Sequence, residues 1–403
     1  MPGVFDRLAG QAEAVAELTA AATAARLRVP GQGWDESDAR MVHAWLFTGP
    51  PGSGRSVAAM AFAAALQCED PEVVGCGECR ACHTVLAGTH ADVHLLAPQG
   101  VNILLKDVKE TIHRAASRPG TGRWQIVVVE EADRLTEQSG NALLKVVEEP
   151  PSRTVFLLCS PTTDPMDIMV TLRSRSRNVA LRQPNAAAVE QALLVNGEID
   201  PDMARWAASV SSGHVGRARW LATDEATRER REVVLKLPMV MHNPSRAFPL
   251  ADQLVKTAEQ EAIARNTESD EREVEELRTA LGAGGTGKGT AAAGRGASGA
   301  VKELERAQKS RRTRSTRDSL DLALVDLAGF YRDALMASIG ASDVSAVHAD
   351  KAGEAARLGG HYPAASILKA IEAVQDCRRA IEVNVKPRFA VSAMVGAIRA
   401  ALS

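Results

Sequence analysis

The chain has 403 residues, with 48 basic and 50 acidic side chains and a formal net charge of -2. This length exceeds what one hydrophobic core usually organises, so two or three domains are expected. Because the charges nearly cancel and only 3% of residues are aromatic, a globally basic or base-stacking nucleic-acid surface is excluded. The sequence has no apolar run of membrane length and no signal-peptide pattern, which predicts a cytoplasmic protein with no membrane partner.

The first chemical motif follows an N-terminal helix and a polar loop. The helix is predicted over residues 12–27 and the loop, rich in Gly and Pro, over residues 30–39. Residues 43–47 (HAWLF) then read as a strand, residues 49–56 (GPPGSGRS) as a turn, and residues 57–66 as an Ala-rich helix. A strand, a Gly-rich loop and a helix in this order are typical of a phosphate loop, in which backbone N–H groups and the helix N-terminus bind phosphate. A chance Gly/Pro-rich turn is the alternative, which this context disfavours.

Four cysteines follow the loop helix with the spacing C-x7-C-x2-C-x2-C, at Cys68, Cys76, Cys79 and Cys82. Tight turns allow each x2 pair to reach one ion, so the four thiols predict a closed, structural zinc site. Four reduced surface cysteines are the alternative, disfavoured because exposed free thiols are a liability. Cys159 and Cys377 have no partners at metal-binding spacing and are predicted to be core thiols.

The central stretch of the chain, residues 124–151, combines a buried strand with paired acids. Residues 126–129 are Ile, Val, Val and Val, a run typical of a strand covered on both faces. Glu130 and Glu131 follow at its carboxyl end, where a P-loop NTPase places the acids that position magnesium and water. A helix is predicted from about Thr136 until Pro150-Pro151. An ordinary core strand followed by solvated acids is the alternative.

Several further segments allow two interpretations each. Residues 103–116 predict an amphipathic helix whose basic face is either solvated or in contact with phosphate. Residues 154–158 predict a buried strand, after which Ser160 or Thr162 either senses a γ-phosphate or forms a turn. Residues 171–177 (TLRSRSR) are either a solvated charge run or an arginine finger that reaches a neighbour's nucleotide.

The rest of the chain is predicted to be helical. A small helical domain covers residues 181–237, and a long charged helix covers residues 253–281. Residues 282–300 form a Gly-rich flexible insertion, and residues 302–317 a basic surface run with DNA-backbone contact as the minor alternative. Apolar-faced helices follow over residues 318–337, 363–383 and 388–402.

Taken together, these motifs resemble the bacterial clamp-loader ATPases of the AAA+ class, which belong to the DNA polymerase III holoenzyme. The resemblance rests on VFDRLAGQ (4–11), HAWLFTGPPGSGRS (43–56), the four-cysteine module, the stretch 124–151, TLRSRS (171–176), SGHVGRARWL (212–221) and NVKPRFAVSAMV (384–395). It covers residues 1 to about 221 densely and the last twenty or so again.

The resemblance implies a fold of three domains. These are an α/β AAA+ domain with a P-loop parallel sheet flanked by helices and the zinc module (1–180), an all-α lid (181–237), and an all-α collar (238–403). It implies phosphate-loop roles for Gly49, Gly52, Gly54, Arg55 and Ser56, a sensor role for Arg217, magnesium and water positioning by Glu130 and Glu131, and zinc ligation by Cys68, Cys76, Cys79 and Cys82. Arg175 matches the arginine finger that acts in trans on ATP of the adjacent subunit.

The implied partners are gamma/tau and delta subunits in a hetero-pentameric clamp loader, which acts on a sliding clamp and primed-template DNA. Two departures from the family pattern concern ATP. Arg55 replaces the lysine of the phosphate loop, and Glu130 replaces an aspartate and would disturb octahedral magnesium geometry. The prediction is a stator-type subunit that hydrolyses ATP weakly or not at all. The alternatives are an active gamma/tau-type ATPase and a non-catalytic zinc-containing scaffold.

Overall fold

A computed structural model describes residues 3–27, 40–98, 100, 102–195, 197–280, 290–341 and 344–403. It divides into two compact units, Met1–Thr223 and Asp224–Ser403. The predicted polar loop at residues 30–39 lies outside the described residues.

The first unit is built on a parallel five-stranded sheet. Its strands lie in the order β2-β3-β4-β1-β5 and span, in chain order, β1 Ala44–Thr48, β2 Val93–Leu96, β3 Gln125–Val129, β4 Thr154–Ser160 and β5 Arg177–Ala180. Every residue of β1, β3 and β4 is buried, as expected for β-branched and aromatic runs in the centre of a parallel sheet. The predicted α/β class with flanking helices is therefore confirmed.

Two separate apolar clusters cover the faces of the sheet. On one face, Trp45, Phe47 and Val128 pack with the first helices of the chain. On the other, Leu46, Val129 and Leu158 pack with the helices between β2 and β5. The helices of this domain are α1 Ala12–Leu27, α2 Arg55–Gln67, α3 Arg80–Leu86, α4 Leu105–Ala115, α5 Glu137–Glu148 and α6 Val170–Ser174.

Three helices complete the first unit around a small core of their own. They are α7 Ala186–Leu194, α8 Pro201–Val210 and α9 Val215–Thr223, and Val189, Leu193, Val210 and Leu221 are buried between them. The lid was predicted to extend to residue 237. The next helix, α10 (Glu225–Val240), instead packs Val234, Leu235 and Leu237 into the core of the second unit.

The second unit is entirely helical in the part of the chain that the structure describes. Besides α10 it contains α11 Pro244–Ala280, α12 Thr290–Ser338, α13 Ala352–His361, α14 Ala364–Glu382 and α15 Pro387–Ala401. Part of the predicted Gly-rich insertion, residues 290–300, is helical rather than a linker, because α12 begins at Thr290. Residues 282–289 of that insertion lie outside the described part.

The predicted basic run at residues 302–317 lies in the part of α12 that packs along α11. Two of its arginines form ion pairs with α11. Arg311 and Arg312 each lie 2.7 Å from a carboxylate oxygen of Asp270, whose side chain is only 2% exposed. Arg311 also pairs with Glu273 at 2.6 Å.

Among the described helices, none is both long and apolar enough to cross a membrane.

Candidate nucleotide site and metal centre

The phosphate loop connects β1 to α2, as the sequence predicted. β1 ends at Thr48 and α2 begins at Arg55, with the glycines of the loop between them. Gly52 has φ +86° and Gly54 has φ +92°, a left-handed region that side chains with a Cβ rarely adopt. The local geometry thus requires glycine at both positions and leaves the N-terminus of a 13-residue helix at the loop.

The N-terminal motif fastens this loop to the segment that leads into α7. The Gln11 side-chain amide donates to the carbonyl oxygens of Ser53 (3.3 Å) and Arg182 (2.5 Å), and its Oε1 accepts from the Arg182 N–H (3.1 Å). Gln11 is 5% exposed. The sequence identified Gln11 only as part of a family motif, and its bridging role follows from contacts across 171 residues of chain.

The paired acids lie at the carboxyl end of β3. Glu131 has φ +53°, an uncommon backbone conformation for a residue with a side chain, and a 3-10 turn follows it (Ala132–Arg134). Arg134 Nε lies 3.9 Å from a Glu131 carboxylate oxygen and 3.6 Å from one of Asp133. Burial raises the pKa of Asp133, while the charges of Arg134 and Arg55 oppose that rise.

The charge of Arg55 is close enough to these acids to lower the pKa of Asp133. Burial is the main cause that raises the pKa of the Cys159 thiol, at the end of β4, to about 12; Glu130 adds to the rise and Arg55 opposes it. The phosphate loop and the acidic strand end therefore meet at the same edge of the sheet, as expected for carboxyl ends of parallel strands. Within the described residues, the buried atoms Ser53 Oγ, Arg55 Nη1 and Asp133 Oδ1 have no hydrogen-bond partner.

His214 also belongs to this site, although the sequence motifs assigned no separate role to it. It precedes α9, and its Nδ1 accepts a hydrogen bond from the Arg217 N–H (3.2 Å). Its ring lies against Gly52, where an added Cβ would be 2.6 Å from His214 Cβ and 2.7 Å from Cδ2. Burial, with Arg217 and Arg55 nearby, lowers the pKa of His214. The predicted sensor residue Arg217 is buried at the start of the same helix.

The two candidate γ-phosphate sensors are engaged in the turn after β4. Ser160 Oγ donates to the Thr162 carbonyl oxygen (2.9 Å), and Thr162 Oγ1 donates to an Asp167 carboxylate oxygen (2.6 Å). In this conformation both hydroxyls hold the strand-end turn, which is the second of the two interpretations of the sequence.

Arg175 lies far from the phosphate loop of its own chain. Its Nη2 is 2.8 Å from Glu148 Oε1, at the last residue of α5, whereas α5 starts just after the acids. A helix of 12 residues is about 18 Å long, so the two ends of α5 are separated by roughly that distance. The strand register agrees with this distance. Arg177, the first residue of β5, pairs with Trp45 near the beginning of β1, whereas the phosphate loop follows the other end of β1. Arg175 therefore lies at the edge of the sheet opposite the phosphate loop.

The four predicted zinc ligands converge between α2 and α3. The Sγ atoms of Cys68, Cys76, Cys79 and Cys82 all lie within 4.8 Å of one another, and those of Cys68 and Cys76 are 3.8 Å apart. Four sulfurs at about 2.3 Å from a tetrahedral ion would be separated by just under 4 Å. The donor set and spacing therefore fit Zn²⁺.

Backbone N–H groups point at the sulfurs, as expected for thiolates. The N–H groups of Cys76, Cys79 and Cys82 donate to Cys68, Cys76 and Cys79 Sγ at 3.3–3.4 Å. Burial alone would raise the pKa of Cys79, but the N–H groups of Glu69 and Cys82 lower it to about 7. Such a cysteine is readily deprotonated for metal binding, whereas burial raises the pKa of Cys76 and Cys82, so a bound ion would have to displace the protons of these two thiols.

Comparisons with known proteins agree with the motifs. A family described as "DNA polymerase III, delta subunit" matches residues 35–185. A delta-prime subunit of DNA polymerase III from Bacillus subtilis (strain 168) is 30% identical over 204 residues, or 50% of this chain and 60% of that protein. The delta-prime subunit of Escherichia coli (strain K12) is 39% identical over 145 residues, or 35% of this chain and 43% of that protein.

Subunits of a second type are similar as well. A gamma/tau subunit of DNA polymerase III from Mycobacterium tuberculosis (strain ATCC 25618 / H37Rv) is 30% identical over 183 residues, or 45% of this chain and 29% of that protein. The chain thus spans between 29% and 60% of the length of these three relatives. The motifs quoted above resemble the delta-prime subunit most closely, and the matches confirm that resemblance. The family match over residues 35–185 and these similarities support a clamp-loader subunit of the delta-prime type.

Proposed function

We propose that this chain is a stator-type clamp-loader subunit that donates Arg175 to the ATP site of an adjacent subunit. The position of Arg175 carries this proposal. An arginine side chain extends roughly 7 Å, so Arg175 cannot reach acids that lie about 18 Å away along α5. At the opposite sheet edge, half-exposed, it is available to a neighbour's nucleotide.

The proposed assembly contains gamma/tau and delta subunits in a hetero-pentamer and works in the cytoplasm. It would load the sliding clamp onto primed-template DNA in an ATP-driven step. In that assembly the helical second unit would serve as the collar. The predicted division into AAA+ domain, lid and collar is part of this proposal, and it is supported by the separate cores of the sheet, of α7–α9 and of the second unit.

The chain's own ATP hydrolysis is proposed to be weak or absent. The unpartnered buried atoms of Ser53 and Arg55 are consistent with a site that accepts an anion. Arg55, however, is a longer, planar cation in place of the loop lysine. Glu130 would also carry its carboxylate one methylene too far for regular magnesium coordination. The implied roles of Gly49, Ser56, Glu131 and Arg217 belong to this proposal.

The cysteine cluster is proposed to hold a structural Zn²⁺. Bound zinc would cross-link the end of α2 to the start of α3, since Cys68 follows α2 and Cys82 lies in α3. All four positions of a tetrahedral ion would be filled by thiolates, which leaves no open position for catalysis.

The decisive experiment is the DNA- and clamp-stimulated ATPase rate of the assembled loader with Arg175→Ala in this chain only. Arginine fingers contribute on the order of 10³-fold or more at their site, so the total rate is expected to lose that site's share while the complex still assembles. Arg205→Ala is the control, because Arg205 is also an exposed, ion-paired arginine but lies in α8. If the rate with Arg175→Ala is unchanged, the proposal is wrong, and a non-catalytic zinc-containing scaffold becomes the better interpretation.

The ATPase rate of the isolated chain distinguishes the gamma/tau-type alternative from the stator proposal. A motor subunit would hydrolyse magnesium-ATP on its own, and Glu131→Gln would abolish that turnover. If the chain is a stator, both the wild type and Glu131→Gln should hydrolyse ATP only at the background rate. The alternative is favoured by the identity of 30–33% to gamma/tau subunits.

A further inference from the structure

The guanidinium of Arg175 is held by three acceptors of its own chain. Its Nη2 pairs with Glu148 at 2.8 Å, and its Nη1 donates to the Thr171 carbonyl oxygen (3.2 Å) and to Ser174 Oγ (3.4 Å). Thr171 and Ser174 belong to α6, directly before Arg175, whereas Glu148 comes from another helix. Glu148 is thus the contact that fixes the direction of the side chain relative to the body of the domain.

The position of Glu148 is otherwise unfavourable. It is the last residue of α5, where the helix dipole is negative, and Glu149 follows it. A carboxylate at a helix C-terminus is destabilising unless a cation compensates. Arg175 supplies that cation. Since stability of α5 alone would favour a basic or neutral residue, a role for Glu148 outside the helix accounts for its charge.

Both helices that carry the pair are anchored in the core. Leu143 and Val147 of α5 and Leu172 of α6 are buried in the same apolar cluster. A Cβ added to Gly140 of α5 would overlap Met169 Sδ, so the helices approach closely there. His43 Nε2 lies 2.9 Å from the Val147 carbonyl oxygen, which ties the end of α5 to the residue before β1. Glu148 is therefore presented from a rigid platform.

The pair leaves part of the guanidinium available. Of its five N–H groups, two on Nη1 and one on Nη2 have acceptors among the described residues, which leaves Nε–H and one Nη2–H. The side chains of Arg175 and Glu148 are 41% and 39% exposed, so a phosphate could approach from solvent. We infer that Glu148 is a positioning residue that holds Arg175 in the orientation used to contact a neighbour's nucleotide phosphates. This inference rests on the proposed function of Arg175.

The test measures the stimulated ATPase rate of the assembled loader with Glu148→Ala and Glu148→Gln in this chain. Loss of a half-exposed ion pair changes an equilibrium by up to about fivefold, so Glu148→Ala is expected to lower turnover at the site that Arg175 serves by up to about fivefold. The total rate should therefore fall by less than it does with Arg175→Ala. Glu148→Gln keeps an acceptor and is expected to lower it less. KM for ATP and the concentration of this chain needed for half-maximal assembly should not change.

Two comparisons make the test specific. Glu149→Gln is the matched control, because Glu149 is the adjacent exposed acid and forms no ion pair within the described part of the chain. In an Arg175→Ala background, Glu148→Ala is expected to have no further effect. Thermal unfolding of each variant checks that folding is intact, as expected for exposed side chains.

Each contrary result has a distinct meaning. If Arg175→Ala lowers the rate and Glu148→Ala does not, the positioning role is wrong and the proposed function stands. If Glu148→Ala raises the rate, Glu148 restrains Arg175 instead of presenting it. If it still lowers the rate without Arg175, or acts on assembly, Glu148 works elsewhere. If Arg175→Ala itself has no effect, the proposed function fails first.

Discussion

The imidazole of His214 packs against Gly52, so that the residue before α9 lies directly on the phosphate loop. A Cβ at Gly52 would lie 2.6 Å from His214 Cβ, well inside van der Waals contact. His214 is fixed in turn by its Nδ1, which accepts from the Arg217 N–H. The start of α9 therefore packs directly against the loop, and a side chain added at Gly52 should displace both.

Gly52→Ala is expected to destabilise the first unit more than Gly54→Ala. Both positions have a left-handed φ, so each alanine costs roughly 1–2 kcal/mol of backbone strain. Nothing lies within 4 Å of an added Cβ at Gly54, whereas at Gly52 the His214 ring must move, at a further cost of about 1–3 kcal/mol. Thermal unfolding of the two variants measures the difference. Adding His214→Gly, which removes both the ring and the Cβ that the new methyl group would meet, should rescue Gly52→Ala but not Gly54→Ala. Equal losses for the two alanines would contradict the contact.

Zinc binding is expected at one ion per chain. Removal by a strong chelator should lower the Tm of the first unit, because the ion would cross-link α2 to α3. Metal analysis by atomic emission should give about one zinc in the wild type and none in Cys79→Ser. Cys377→Ala is the control, since this buried thiol lies in α14 of the other unit and should leave the zinc content unchanged. Full zinc content in Cys79→Ser would rule out the four-cysteine site.

The sequence predicted the parts of this fold that depend on local pattern. β1, β3 and β4 are fully buried runs and were recognised, and the loop at Gly52 and the four cysteines have diagnostic spacings. β2 and β5 were missed because they are short and partly exposed, and β5 begins at the last arginine of an arginine-rich run.

The contacts of single side chains were predicted less well, for a physical reason. Spacing identified Arg175, but its partner Glu148 comes from another helix, and no periodicity relates the two. His214 is part of a family motif in the sequence, but its contact with Gly52, more than 160 residues earlier, follows only from the fold. The sequence predicts a solvated basic run because no pattern relates these arginines to Asp270, their carboxylate partner on α11.

Asp92 is expected to make the stability of the first unit pH-dependent at low pH. The carboxylate is 3% exposed and accepts from the N–H groups of Gly120, Thr121 and Gly122 at 2.6–2.8 Å. Burial would raise its pKa, but these donors lower it to about 2. Because the folded pKa is the lower one, the stabilisation, about 2 kcal/mol, is complete above pH 4 and is lost as the pH falls towards 2.

The measurement is the difference in unfolding free energy between wild type and Asp92→Asn from pH 7 to pH 3. The difference should be constant near neutrality and shrink below pH 4. Glu110→Gln removes an exposed carboxylate paired with Arg114 and should change stability by less than about 1 kcal/mol. A difference for Asp92→Asn that does not depend on pH would mean that the carboxylate charge is not what the loop binds.

The pairing of α11 with α12 is expected to depend on Asp270. Its carboxylate, 2% exposed, receives Arg311 Nη2 and Arg312 Nε at 2.7 Å each, and its carbonyl oxygen accepts from the Gln308 amide (2.8 Å). Asp270→Asn would keep the size of the side chain but remove the charge between two arginines. Breaking a buried pair by removing one partner costs about 3–5 kcal/mol. Since the two arginines are about 40% exposed and can turn to solvent, a loss of about 1–3 kcal/mol is expected.

Hydrogen exchange of the backbone amides around residues 265–275 and 305–315 reports this loss directly. Asp270→Asn should speed exchange in both segments together, because the two helices are stabilised by the same contact. Glu268→Gln is the control in the same helix, since Glu268 is 87% exposed and pairs only on the surface with Arg272. If both variants exchange like the wild type, the ion pairs do not hold the helices together and their apolar contacts suffice. If only α11 exchanges faster, Asp270 stabilises its own helix rather than the pair.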